Sequence, residues 1–235
     1  MASTSSKKEN VRVMFNSIAK RYDFLNHFLS LGIDKLWRKK LVKLLIINNP
    51  QIILDVATGT GDLAIEVSLK SKANIIGIDI AEEMIEIGKN KIKAKKLEHQ
   101  IKLQVADSEN IPFETAIFDA AMVSFGVRNF ETLEKGLSEM HRVLKSGAMI
   151  AVLEFSKPKK FPVKNLYMFY FRHILPTLGR IISGDKAAYT YLPESVRQFP
   201  DGQQFIEILN KIGFKETTEK RLSFGIASIY TGIKI

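Results

Sequence analysis

The chain has 235 residues, 46% hydrophobic and 26% charged, with no cysteine. That is the composition of a globular domain with a core of its own, not of a collagen-like or largely disordered chain, and it excludes disulfides, cysteine zinc sites and thiol catalysis. The net charge of +10 is concentrated at residues 1–50 (+7) and 156–186 (+6), while residues 51–155 sum to −4. Such basic segments attract nucleic acid or anionic lipid, or are solvated lysine-rich surface.

Residues 1–10, MASTSSKKEN, are polar, lack the apolar stretch of a secretory signal and read as a loose tail. Residues 11–235 then read as one domain that begins with N-terminal helices over 11–49. Val11, Phe15, Ile18, Tyr22 and Leu25 recur at helical spacing. Gly32 interrupts the pattern, Asp34 is the expected N-cap of a second helix, and Asn48, Asn49 and Pro50 end it. The period then changes. Apolar runs at 51–57, 74–80, 101–106, 118–125 and 148–155 have the character of strands buried on both faces. Helical stretches at 61–70, 82–96 and 132–145 lie between most of them, which predicts an open parallel α/β sheet. A basic, aromatic insertion follows at 156–202, then a helix at 201–212. Segments 214–222 and 226–235 suit a terminal hairpin turning at Ser223–Gly225. No apolar run reaches the ~18 residues of a spanning helix. The four histidines, His27, His99, His141 and His173, include no pair at i, i+4, so no protein-bound catalytic metal is expected.

The chemical signal is strongest at Asp55-Val56-Ala57-Thr58-Gly59-Thr60-Gly61-Asp62, at the end of the first strand. Ligands of open α/β sheets bind beyond the carboxyl ends of the strands. Glycines there allow a tight turn and close approach, and the next helix offers free N–H groups. Asp79 ends the second strand, at the distance where an acid meets ribose hydroxyls, and Asp107 ends the third. Three acids at three successive strand ends suit a nucleoside that carries positive charge and free hydroxyls. The plainer reading is an ordinary strand–helix turn with aspartates as helix caps. Gly59-x-Gly61-x-x-Ala64 also matches the dinucleotide fingerprint of NAD enzymes. The chain lacks length for a separate substrate domain, however, and Asp55 suits a cationic methionine group better than a pyrophosphate. S-adenosylmethionine is the favoured cofactor.

DVATGTGD at 55–62, IGIDI at 76–80, ADSENIPF at 106–113 and FDAAMVSFGVRNF at 118–130 resemble the class I methyltransferases. MFNSIAKRYDFLN at 14–26, LSLGIDKLWRKK at 29–40, EMHRVLKSG at 139–147, LEFSKP at 153–158 and YTYLPESVRQFP at 189–200 narrow the resemblance to the quinone-biosynthesis C-methyltransferases. SFGVRN and LEFSKP are its most specific elements, and VLKSGA departs from the commoner VLKPGG in a turn without catalytic bearing. The resemblance covers nearly the whole chain after the tail. It implies a Rossmann-like sheet of seven strands, the last antiparallel, with a helical cap inserted after strand five. It also implies cofactor contacts from Thr60, Asp79, Asp107, Ser108 and Ser124. Asp79 would take the ribose hydroxyls and Asp107–Ser108 the adenine edge, while Asp55, Gly59 and Gly61 would shape the methionine pocket.

The implied reaction is C-methylation of a reduced quinol, because ring hydroxyls make a quinol electron-rich where a quinone is not. Arg128 is the expected phenolate stabiliser, Asn129 the orienting hydrogen-bonder, and Tyr22 and Asp23 are further candidates for the ring pocket. Glu154 and His173 read as structural. The stretch at 24–40 favours demethylmenaquinol over 2-methoxy-6-polyprenyl-1,4-benzoquinol as substrate. A polyprenyl quinol lives in the bilayer, and residues 161–182 place aromatics beside Lys and Arg, as interfacial segments do. The expected setting is therefore cytoplasmic and peripheral, on the anionic inner face of a membrane, with a homodimer as one possible assembly. A nucleic-acid partner is not expected: strand four lacks an Asn/Asp-Pro-Pro-aromatic element, and no cysteine is present to attack a pyrimidine. An NAD oxidoreductase or a non-enzymatic assembly subunit are the rival classes.

Overall fold

A computed structural model describes residues 6–30, 32–170 and 186–235. Five strands run parallel: β1 (Ile52–Val56), β2 (Asn74–Asp79), β3 (Ile101–Val105), β4 (Phe118–Ser124) and β5 (Leu144–Phe155). The terminal hairpin of β6 (Phe214–Leu222) and β7 (Ala227–Lys234) joins them through β7, which is antiparallel to β5. The order across the sheet is β3-β2-β1-β4-β5-β7-β6. The hairpin turns at Ser223–Gly225, where Phe224 and Gly225 take positive φ angles of 58° and 94°. β6 is an edge strand, and its alternating Lys, Glu and Arg keep that edge from recruiting another strand.

The helices in chain order are α1 (Lys7–Leu29), α2 (Ile33–Leu45), α3 (Asp62–Ser68), α4 (Glu82–Ala94), α5 (Leu133–Val143), α6 (Val163–Phe169), α7 (Lys186–Gln198) and α8 (Gln203–Ile212). Successive residues of β1 serve opposite faces. Ile53 joins a core with Trp37 and Leu41 of α2, Leu63 of α3 and Ile85 of α4. Leu54 joins a second core with Leu137 and Met140 of α5 and Phe205 and Leu209 of α8. Both faces are covered, which is why the central strands read as unbroken apolar runs. The register sets Ile53 beside Ala120 and Leu54 beside Ala121.

Three local expectations change. Helix α1 begins at Lys7, so residues 7–10 of the expected tail are helical. Asp34 does not cap α2. Gly32 occupies that position at φ 73°, and the Asp34 carboxylate instead takes Arg38 Nη2 and the Ser30 hydroxyl, each at 2.7 Å. The pair lies one helical turn apart and is buried. Strand β5 starts at Leu144, inside the segment expected to be helical, because Leu144 pairs with Phe118 ahead of a register shift. Residues 171–182 of the expected interfacial segment, and His173 with them, lie outside the described residues.

Candidate active site

β1 has β2 on one side and β4 on the other, so the winding reverses there and a crevice opens at the carboxyl ends. The loop after β1 is shaped by Ala57, Gly59 and Gly61, all at positive φ (52°, 56° and 80°). Its backbone is strapped to β2: Thr58 N donates to Ile78 O at 3.0 Å, and Gly59 N donates to Asp79 Oδ2 at 2.8 Å. The other Asp79 oxygen accepts Ala81 N at 2.9 Å, ahead of α4. One carboxylate thus fixes both the glycine loop and the start of the next helix. Burial raises the Asp79 pKa, against the pull of these amides.

The cleft is lined by Gly59, Asp79, Asp107, Ser108, Ser124, Tyr22 and Asn129 among others. Seven of the sequence-predicted residues therefore meet at one site. Five do not line it. Asp55 sits behind the loop, where its carboxylate accepts the Thr58 hydroxyl at 2.6 Å. Burial, reinforced by the charge of Asp79, raises it to about 7 despite that hydrogen bond. Gly61 is the N-cap of α3. Thr60 turns its hydroxyl to Asp23 at 2.6 Å and accepts Lys91 Nζ at 3.1 Å. Lys91 also pairs with Asp23 at 2.8 Å and with Asp62, so α1, α3, α4 and the glycine loop are joined by one polar knot. Asp23 thereby anchors α1 rather than facing the cleft. Arg128, in the short 3-10 turn Val127–Asn129, pairs with Glu154 of β5 at 2.7 Å. It lines a neighbouring cavity that shares Phe130 and Glu131 with the cleft.

Helix α1 supplies a wall of which sequence reasoning named only Tyr22 as a site residue. Lys8, Val11 and Phe15 line the cleft with Tyr22, and Lys8 Nζ reaches Asp107 Oδ2 at 2.6 Å. Lys7 grips the carbonyls of Arg128 (3.2 Å) and Phe130. The signal lay in the period of Val11, Phe15 and Tyr22, which continues back through the lysines once they are counted as helix. Glu154 and Tyr191 were also missed as site residues, because each earns its place only through a partner distant in sequence.

These residues fit S-adenosylmethionine. The Ser124 hydroxyl oxygen is shut off from solvent, lines the cleft and has no hydrogen-bond partner among the described residues. Asp79 and Asp107 present carboxylates to the same space, and a methyl group added at Gly59 would stand 3.8 Å from the Tyr22 ring. Such a set of acceptors suits ribose hydroxyls and an amino group.

Comparison with known proteins agrees with this geometry. A family model described as the ubiE/COQ5 methyltransferase family matches residues 3–234. A ubiquinone/menaquinone biosynthesis C-methyltransferase of Geobacter sp. (strain M21) is 48% identical over 236 residues, covering 100% of each chain. A demethylmenaquinone methyltransferase of Bacteroides fragilis is 44% identical over 229 residues, 97% of this chain and 94% of the relative. Among solved structures, a methyltransferase of Thermotoga maritima described as a possible histamine N-methyltransferase superposes with a TM-score of 0.66. It is 20% identical, over 96% of this chain and 100% of that one, and so speaks for the fold alone. The protein is a methyltransferase of class I fold, and S-adenosylmethionine is its methyl donor. The chain belongs to the ubiE/COQ5 methyltransferase family.

Proposed function

We propose that the protein methylates a ring carbon of a polyprenylated quinol, converting demethylmenaquinol to menaquinol. The observation that carries this reading is the cleft itself. It joins the nucleoside-binding set of Gly59, Asp79, Asp107, Ser108 and Ser124 to Tyr22 and Asn129 in one continuous space. The name of the Bacteroides fragilis relative supports demethylmenaquinol. The Geobacter relative's name covers both quinones, which favours 2-methoxy-6-polyprenyl-1,4-benzoquinol as the second reading.

When bound, S-adenosylmethionine supplies a methyl group made electrophilic by its sulfonium. Asp79 holds ribose hydroxyls with a carboxylate already oriented by two backbone amides. Asp107 and Ser108 address the adenine edge, with Lys8 yielding the carboxylate it pairs with. Asp55 places a buried acid behind the loop, where it favours a cationic ligand over a neutral one. Tyr22 walls the ring side, and Asn129 and Arg128 offer N–H donors to a ring oxygen as negative charge gathers there. The Arg128 Nε atom is buried and has no partner among the described residues.

The lipid tail of the substrate calls for a membrane nearby. Among the described residues no helix is long and apolar enough to cross one. Phe161, Leu166 and Met168 are exposed around α6. Lys159, Lys160 and Lys164 stand beside them with no ion pair among the described residues. These features support peripheral contact with an anionic, cytoplasmic membrane face.

A methyl-transfer assay with labelled donor tests the reaction on short-chain demethylmenaquinol and methoxybenzoquinol, each with and without reductant. Label in demethylmenaquinol alone, dependent on reductant, is the expected result. Label in the benzoquinol alone would hand the assignment to the second reading. Label in neither, with the donor still bound, would overturn both.

A further inference from the structure

Beside the cleft, at the carboxyl ends of β4 and β5, two side chains that the proposed reaction has not used, Glu154 and Tyr191, hold Arg128 and Asn129. Glu154, next to the last residue of β5, is fully buried. It accepts Arg128 Nη1 at 2.7 Å and the Phe155 amide at 2.8 Å. The same Nη1 donates to Phe125 O at 2.5 Å, and the guanidinium lies over the Phe155 ring at 5.4 Å from its centroid. A guanidinium is planar, so two acceptors on one nitrogen and a ring beneath the plane fix where its remaining N–H groups point. Nε is the buried nitrogen left without a partner among the described residues, on a side chain only 7% exposed.

Asn129 is fixed in a parallel way. Its Nδ2 faces Phe125 O at 3.4 Å, and its Oδ1 accepts the Tyr191 hydroxyl at 3.1 Å. A carbonyl can only accept, so the amide nitrogen must face Phe125 and the amide oxygen must face Tyr191. The second N–H of that nitrogen is left for the cleft that Asn129 lines. Burial raises the Tyr191 pKa, which keeps the hydroxyl a donor. The turn therefore presents donors and no acceptor: the glutamate occupies the arginine's other face, and the tyrosine occupies the amide oxygen.

We propose that Glu154 and Tyr191 are positioning residues. Glu154 orients the Arg128 guanidinium and Tyr191 orients the Asn129 amide, so that both aim N–H groups at an anionic ring oxygen of the acceptor. This rests on the acceptor being a quinol. The arrangement ties acceptor recognition to the cap, because Tyr191 belongs to α7. It favours the ionised acceptor, so the bound quinol loses its hydroxyl proton at lower pH than it would in water.

Steady-state kinetics of the full chain on the quinol test this, using Tyr191→Phe, Glu154→Gln, Asn129→Ala and the Tyr191→Phe/Asn129→Ala double variant. Donor affinity is followed by calorimetry. Tyr191→Phe is expected to lower kcat about tenfold, move the acid limb of the kcat–pH profile about one unit upward, and leave donor affinity within about twofold. The double variant should be no slower than Asn129→Ala alone, since the tyrosine acts through the amide. Glu154→Gln should shift the pH limb the same way. Should it fail to fold, Tyr191→Phe and the double variant still decide. An active wild type with an unmoved pH limb in Tyr191→Phe, or with additive losses in the double variant, overturns the proposal alone. Wild-type enzyme that binds the donor but methylates no quinol overturns the quinol reading and takes this proposal with it.

Discussion

Asp55 shows how a single residue can serve a ligand at the expense of the empty fold. In an unfolded chain its carboxyl titrates near ~3.9, whereas burial behind the glycine loop lifts it to about 7. Between those values the folded protein holds a proton that the unfolded chain has released. The stabilising contribution is therefore complete below the unfolded value and is lost as pH rises through about 7. Thermal unfolding of ligand-free wild type and Asp55→Asn at pH 5 and pH 8 checks this. The gain of the variant over wild type is expected to be several degrees larger at pH 8 than at pH 5, on the usual scale of ~2–4 °C per kcal/mol for a chain of this size. Equal differences at both pH values would contradict it. The glycine loop and strand-end acids were legible in the sequence because a strand end is a place that local pattern can mark. The setback of Asp55 and Thr60 from the cleft was not. It depends on which way each side chain leaves the loop, and for Thr60 that is decided by Asp23 and Lys91, 37 and 31 residues away.

Between elements, closeness of approach sets the geometry of the loop. Gly88 on α4 faces the glycine loop, and a methyl group there would meet Leu103 Cδ1 at 2.5 Å and the backbone carbon and oxygen of Thr60 at 3.1 and 3.2 Å. The leucine can turn aside, but the loop backbone cannot. Gly88→Ala is expected to cost about 1–3 kcal/mol in urea unfolding and to weaken donor binding at least several-fold by calorimetry. Wild-type affinity in that variant would show that the loop can shift freely. At this scale most elements were readable from period alone: the parallel strands, the helices between them and the terminal hairpin, although β3 is an edge strand and not buried on both faces. The start of α1 was not, because two lysines and a glutamate look like solvated tail until Asp107 and the turn after β4 are brought beneath them. The pairing of Arg128 with Glu154 likewise joins residues 26 apart, on adjacent parallel strands' ends, a neighbourhood that only the sheet order creates.

The proposed lipid contact belongs to the scale of the whole molecule. The turn at Ser223–Gly225 packs beside the chain leaving β5, with the Ser156 hydroxyl donating to Gly225 O at 2.8 Å. Phe224 on that turn is 85% exposed and Phe161, before α6, is 81% exposed. Sedimentation with phosphatidylglycerol-containing vesicles should capture the protein at low salt and release it as salt screens the charges. The Lys159→Glu/Lys160→Glu/Lys164→Glu variant should bind at least tenfold more weakly, at ~1 kcal/mol per basic residue near the surface. Phe224→Ser should weaken binding at every salt concentration. Binding that ignores salt, or fails at low salt, would count against an electrostatic membrane face.

The antiparallel course of β7 has a practical consequence. Because β7 runs against β5, it leaves the sheet at the end remote from the cleft, where Lys234 Nζ donates to the carbonyls of His141, Arg142 and Leu144 at 2.7–3.2 Å. Helix α1 instead begins beside Asp107. A surface anchor, affinity handle or fluorophore carried after β7 would leave donor entry undisturbed. The same group attached before Lys7 would sit at the cofactor's doorway, and would serve there as an optical reporter of its traffic.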